Sequence, residues 1–197
     1  ARLRDGVTVA QAQAAMRTLG TDGEIHITGL NDVVINSSIG PGSTDLALLR
    51  IEATEGVLSI AHESGHLETS ALMQLAGTVV DVQGVVRNIG ATAAPYEIDI
   101  DATELAIVTG DLRGVGSIRV HAGQEVDVYD TTIAVTGAGE KIRIESDQDV
   151  FLGRIDLSGV LPQQLGAVLQ ATGAVEIDAG GMADIAAGVQ LLSSGDD

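Results

Sequence analysis

The sequence contains no cysteine and no tryptophan, and its only aromatic residues are Tyr96, Tyr129 and Phe151. The absence of cysteine excludes disulfide bonds and thiolate chemistry. Because aromatic rings are so few, the core has to be built from Ile, Val, Leu and Ala. The same scarcity argues against a sugar-binding groove, since such grooves usually present exposed aromatic platforms to the sugar rings.

Basic residues are also scarce, with 10 Lys and Arg against 28 Asp and Glu, and the formal net charge is −18. A nucleic-acid partner is therefore not expected, because phosphate binding needs a basic surface. No run of about 18 apolar residues occurs, so we expect no membrane insertion. Such acidity favours solubility and mutual repulsion of monomers.

Four short phrases within residues 117–146 share one pattern, in which two apolar residues flank a single residue. A period of two places each apolar pair on one face of a strand and the middle residue on the other face. The phrases start at positions 118, 126, 133 and 142, so that three strands take up 24 residues. This spacing predicts a parallel β-helix, or β-solenoid, with three short strands to a rung. The predicted core ladder consists of Ile118, Val120, Val126, Val128, Ile133, Val135, Ile142 and Ile144.

Phrases of the same kind recur from residue 24 to residue 192 without a linker, so we treat 1–197 as a single β-solenoid domain. Residues 7–19 have apolar side chains at helical spacing, which predicts a short N-terminal capping helix; an atypical first rung is the alternative. Residues 159–170 depart from the pattern and are predicted to be an irregular insertion. A β-sandwich is the alternative fold, because it too has many short strands separated by turns.

One motif predicts a different class of function, a zinc-dependent hydrolase. His62-Glu63-Ser64-Gly65-His66 matches H-E-x-x-H, in which two histidines one helical turn apart share a zinc ion and the glutamate acts as general base. However, Gly65 weakens a helix between the two candidate ligands. The competing interpretation is a strand at 58–60 followed by a polar turn with two exposed histidines, and on that interpretation we expect no zinc.

Acidic residues recur at the predicted turns, namely Asp127, Asp130, Asp147, Asp149, Asp178 and Asp184. Residues 180–185 match part of the calcium-binding nonapeptide of RTX-type proteins, but the third Gly and tandem copies are missing. We therefore predict no dedicated cofactor, and calcium only at weak acidic sites on the surface. The carboxylate pairs Asp99/Asp101 and Asp147/Asp149 keep a β-helix carbohydrate-active enzyme open as a further alternative.

Residues 141–150 and 174–181 resemble the repeats of filamentous-haemagglutinin-type proteins and of giant repetitive bacterial surface proteins. The resemblance is one of repeat style, and it covers most of residues 24–195. It implies a right-handed β-helix, secretion, and a role in adhesion, biofilm or cell-surface structure. It carries over no catalytic residues.

The leading hypothesis is therefore a non-enzymatic structural module of an extracellular fibre, adhesin or cell-surface protein. The strand phrase at 189–192 runs almost directly into a polar tail and has no evident cap. An uncapped end exposes unpaired strand edges, so we expect it to associate with another copy or with a neighbouring domain of a longer chain. Head-to-tail contact of identical units would then produce a filament.

Overall fold

The computed structural model describes residues 23–40, 46–90, 94–156 and 163–194, and the predicted capping helix at 7–19 lies outside them. Across these ranges the chain forms twenty β-strands and no helix. The predicted β-solenoid is confirmed, because nearly every strand pairs in parallel with the equivalent strand one turn later. The alternative of a β-sandwich is wrong, since its strands would pair mainly antiparallel.

Three columns of stacked strands make up the solenoid, and we call them A, B and C in chain order. Column A contains β1 (Glu24–Gly29), the first parts of β4 (Leu48–Ile60), β6 (Leu72–Val82) and β8 (Ile98–Val108), then β10 (Ile118–Ala122), β13 (Ile142–Ser146) and β18 (Val175–Ala179). Column B contains β2 (Val33–Ile35), the second parts of β4, β6 and β8, then β11 (Glu125–Val128), β14 (Asp149–Leu152) and β19 (Ala183–Ile185). Column C contains β3 (Ser38–Ile39), β5 (His66–Thr69), β7 (Val85–Asn88), β9 (Leu112–Gly114), β12 (Thr131–Val135), β17 (Ala167–Ala171) and β20 (Gln190–Ser193).

One strand from each column forms a rung, and seven rungs stack between β1 and β20, with about six turns of chain separating the first strand from its counterpart in the last rung. The predicted step of 24 residues is present where Ile118 pairs with Ile142. The step is shorter between Ile98 and Ile118 and longer between Ile142 and Val175. Rung length therefore varies while the register across each column is kept.

The core is a set of aliphatic ladders that follow this register. All eight residues of the predicted core ladder are buried. Examples of the stacks are Ile100, Val120 and Ile144 in column A, Val108, Val128 and Leu152 in column B, and Leu112, Ile133 and Leu169 in column C. Each fully buried side chain of this size stabilises the fold by about 1.5–3 kcal/mol relative to exposure.

The predicted insertion at 159–170 is partly wrong. The departure from the solenoid begins earlier, at β15 (Arg154–Asp156), which pairs antiparallel with β16 (Gln163–Leu165). Residues 167–170 belong to the regular strand β17, which stacks on β12 with Ala167 and Leu169 buried. The inward–outward alternation of residues 167–170 is short and follows directly on the irregular residues. The sequence pattern therefore did not separate this strand from the insertion.

Glycines stack at the corner between columns B and C. A Cβ atom on Gly84 would lie 2.7 Å from the carbonyl oxygen of Ala61 and closer still to that of Gly65, and a Cβ on Gly110 would in turn overlap the carbonyl oxygen of Gly84. Rungs are only about 4.8 Å apart, so this corner leaves no room for a side chain. Position 84 therefore requires glycine, because the backbone of the rung below approaches too closely for a side chain.

We predict that Gly84→Ala lowers the free energy of unfolding by about 1–3 kcal/mol, because the added methyl group forces the corner apart. Gly40→Ala is the matched control, since a Cβ there would meet no atom within 4 Å; it should change the stability by less than about 0.5 kcal/mol. Urea denaturation monitored by circular dichroism measures both variants. Equal losses in the two variants would contradict the stacked corner.

Candidate functional site

The H-E-x-x-H residues lie in a turn and at the start of a strand, and the helix that zinc binding would require is not formed. His62 and Glu63 belong to the turn between β4 and β5, with their side chains largely exposed, and His66 begins β5. Glu63 has a φ of 60°, which is a left-handed turn conformation. Among the residues that the structure describes, no three His, Asp or Glu side chains are grouped so as to hold a metal ion. The geometry therefore does not support the zinc-hydrolase alternative.

The partial match to a calcium nonapeptide has a structural explanation. Asp149 Oδ1 accepts a hydrogen bond of 2.8 Å from the backbone N–H of Met182 in the next rung. A Cβ on Gly181 would lie 2.5 Å from that carboxylate oxygen and 2.9 Å from the backbone carbonyl oxygen of Gln148, so a side chain there would force the backbone to shift. Asp32 and Gly56 repeat the arrangement near the other end, where Asp32 Oδ1 accepts from Val57 N at 2.9 Å. The Gly-Gly sequence thus accommodates an aspartate that ties two rungs together.

Charged side chains form two parallel rows on the outer face of column A. We call these residues the column A charge ladder: Asp99, Asp101, Arg119, His121, Arg143, Glu145, Glu176 and Asp178. The strand register aligns them, because outward positions of successive rungs stack directly on one another. The ladder spans the fourth to the seventh rung.

Arg119 is the best-connected residue of the ladder. Its guanidinium binds Asp99 of the rung below in a bidentate contact, with Nε–Oδ1 at 2.7 Å and Nη2–Oδ2 at 3.2 Å. Nη1 lies 3.4 Å from Glu145 Oε1 in the rung above, and the ring of Tyr96 stacks 5.6 Å away. Burial by itself would lower the pKa of Arg119, but the hydrogen bond and charge of Asp99 outweigh it, so the pKa is raised. Arg119 stays charged and joins three rungs.

The carboxylates proposed as catalytic pairs are already engaged within the protein. Asp99 is bound by Arg119, and Asp101 lies 2.7 Å from His121 Nδ1. Asp149 holds the backbone of the next rung, and Asp147 lies 3.8 Å from His121 Nε2. Glycosidase chemistry needs two carboxylates that face a common substrate bond. These pairs serve rung-to-rung contacts, and the geometry gives the carbohydrate-active alternative no support.

The remaining acidic turn residues do not converge on one point. Asp178 lies 3.6 Å from Arg143, whereas Asp130 is exposed at a turn with a φ of 50°. An open depression of about 380 Å³ borders the last rungs of column A and is lined by His121, Glu145, Ser146, Asp147, Asp178 and Gly180. Weak calcium binding at such surface carboxylates stays a prediction.

A shallow groove on column B brings together two of the three aromatic residues, which the sequence did not reveal. Tyr129 and Phe151 line it with Asp127, and the Arg154 guanidinium lies 5.5 Å from the centre of the Tyr129 ring. Burial and the charge of Glu125 raise the pKa of the Asp127 carboxyl, although Arg154 acts in the opposite sense. The Asp127 side chain thus points outward, as the alternation predicted. Its carboxyl group is nevertheless poorly solvated.

Comparisons with family models, with curated proteins and with solved structures found no match to this chain. In the part of the chain that the structure describes, no helix is long and apolar enough to cross a membrane. The functional interpretation therefore depends on the geometry.

We predict that Arg119→Met lowers the free energy of unfolding by about 1–3 kcal/mol, because hydrogen bonds of a half-buried charged group to Asp99 are lost. Arg113→Met is the matched control, since Arg113 makes an ion pair with Asp111 at 2.9 Å on an exposed face. An exposed pair of this kind contributes less than about 1 kcal/mol. Chemical denaturation distinguishes the two, and a loss at Arg113 as large as that at Arg119 would refute the special role of the ladder.

We also predict that Asp127→Asn raises the melting temperature at neutral pH. Since the pKa of Asp127 is raised on folding, the folded protein holds this proton more tightly than the unfolded chain, and stability falls as pH rises through that range. The gain from Asn should therefore vanish below a pH of about 3, where the carboxyl is protonated in both states. Asp130→Asn, at an exposed turn, is the control for the loss of one negative charge. Melting curves across pH test this, and a destabilised Asp127→Asn variant would contradict it.

Proposed function

We propose that the chain is a non-enzymatic structural module, a β-solenoid rod whose last rung docks end to end with another β-solenoid. The observation that carries this proposal is the open apolar cross-section at the last rung. Ile185 and Leu191 occupy inward positions there and are 49% and 43% exposed, whereas their counterparts Leu152 and Leu169 in the preceding rung are fully buried.

The backbone at this end is also unpaired on one side. Within the described ranges, β18, β19 and β20 pair only with the rung before them. A row of unpaired N–H and C=O groups at a sheet edge is a template for another strand. Apolar side chains and free backbone groups therefore coincide on one surface, which we call the C-terminal end face and define by β18, β19 and β20.

The opposite end differs. Ile27, Ile35 and Ile39 point inward in the first rung and are 2%, 0% and 7% exposed, while Ile25 and Val33 are partly buried. The first rung therefore has less apolar surface left to bury against a partner than the last rung has. Self-association through the C-terminal end face would pair two last rungs and stop at a dimer, in contrast to the filament expected from the sequence.

The proposed setting is an extracellular fibre, adhesin, or cell-surface or biofilm protein. It is supported by the repeat style of the sequence and by the compatibility of a β-solenoid with such a role. The docking partner would be a second copy or a neighbouring solenoid domain.

Two adjacent leucines provide a matched test of the C-terminal end face. Leu191 points inward in register with Leu169, whereas Leu192 points outward in register with Gln170, and the two are 43% and 44% exposed. We predict that high salt promotes dimerisation of the chain by screening its acidic charge. Leu191→Glu should abolish the dimer and Leu192→Glu should leave it intact.

Sedimentation velocity at low and high salt measures this, with circular dichroism confirming that both variants fold. A chain that stays monomeric under all conditions, or equal loss of dimer in both variants, would refute docking of this face with itself.

A further inference from the structure

The C-terminal end face is acidic as well as apolar, and we propose that its partner is a β-solenoid rung with basic outward side chains in register with Glu176 and Asp178. This inference rests on the proposed function and specifies the partner. Residues 175–193 contain Glu176, Asp178 and Asp184, and no Lys or Arg.

Inside the solenoid, the two arginines of the column A charge ladder contact carboxylates of neighbouring rungs. Arg119 reaches Asp99 on one side and Glu145 on the other. Arg143 lies against Glu145 in its own rung and 3.6 Å from Asp178 in the next. Glu145 is in register with Asp178, and Arg143 lies against both of these carboxylates.

The last rung has cations on one side only. Lys141 Nζ lies 3.2 Å from Glu176 Oε1, and Arg143 Nη1 lies 3.9 Å from Glu176 Oε2, both from the sixth rung. Among the described residues no cation approaches Glu176 or Asp178 from the outer side, and Asp184 on column B makes no ion pair. An eighth rung would place its outward side chains directly over these carboxylates. Lysine or arginine at those positions would complete the ladder.

A second copy of this chain fits the end face poorly. Antiparallel pairing of two β18 strands about Ile177 would set Glu176 of each copy against Asp178 of the other. Like charges directly opposite one another across strands are destabilising. The first rung of a copy is no better, because its inward residues Ile27 and Ile35 are already buried. The charges thus favour a basic partner rung over self-association.

The partner's inward positions follow from the same register. An aliphatic residue should lie over Ile177, Ile185 and Leu191, which are inward residues of columns A, B and C respectively. The partner strand on column A would therefore alternate basic and aliphatic residues. Residues 141–144, Lys-Ile-Arg-Ile, already pack in this way on the inner edge of β18, whereas Glu145 lies opposite Asp178.

Two peptides test the charge preference on the full chain. The basic peptide has the sequence of residues 141–146 with Glu145→Lys, and the acidic peptide has the same residues with Lys141→Glu and Arg143→Glu. Both keep Ile142 and Ile144. Binding is followed by shifts of the backbone amide signals in two-dimensional NMR of the labelled protein.

We expect the basic peptide to shift the amides of β18 and to bind about tenfold more tightly than the acidic peptide at low salt, since two or three cross-strand charge pairs differ between them. Added salt should weaken this binding, opposite to its effect on dimerisation. In the variant Glu176→Gln with Asp178→Asn, the two peptides should bind alike. Equal affinity for the unmodified protein, tighter binding of the acidic peptide, or no shift of β18 would overturn the inference.

The outcomes separate this inference from the proposed function. If Leu191→Glu blocks the salt-promoted dimer but neither peptide prefers β18, the end face docks without charge selection and only the inference fails. If Leu191→Glu has no effect and both peptides leave β18 unchanged, the proposed end-to-end docking fails too.

Discussion

The described rungs depend on one constraint, the stacking of each rung on the previous one at a spacing of about 4.8 Å. At that distance a side chain has to share its space with the residue in register above it and below it. Inward positions are therefore filled by aliphatic ladders, and corner positions such as Gly84 have to lack a side chain. Outward positions place charges next to charges, and Arg119 is held between carboxylates of two rungs for this reason.

The alternation in residues 117–146 was enough to predict the fold. It placed Ile118, Val126 and Ile133 in three strands of one rung and Ile142 in the next rung, since a period of two marks the buried face directly. The charge ladder was not predictable in the same way. Asp99 and Arg119 are 20 residues apart, and Arg143 and Glu176 are 33 apart, so their contacts depend on rung lengths that vary along the chain. The insertion at β15 and β16 lengthens one rung, and no periodic pattern of apolar residues in the sequence indicates by how much.

The two local motifs lack the structures in which such motifs bind metal ions, for a related physical reason. His62 and His66 match a zinc motif by spacing, but spacing implies proximity only on a helix, and the flanking strands leave a turn there. Gly180-Gly181 suggested a calcium loop, whereas the glycines make room for Asp147 and Asp149 of the rung below. Tyr129 and Phe151 likewise line one groove because successive rungs stack in column B, although the two residues are far apart in the sequence. In a solenoid, the residues that contact a given side chain lie mostly in the next rung. Which residues these are depends on the length of each rung, and that length cannot be read from a single sequence.

The most direct test of this account is native-state hydrogen exchange, followed rung by rung. Stacking on both sides should give amides of β10, β11 and β12 the highest protection, because breaking their hydrogen bonds requires opening the solenoid on both faces. The strands β18, β19 and β20, with one unpaired edge, should exchange much faster in the isolated protein. Protection in the last rung equal to that in the fifth would mean that its edge is already covered, and would contradict the open end on which the proposed docking depends.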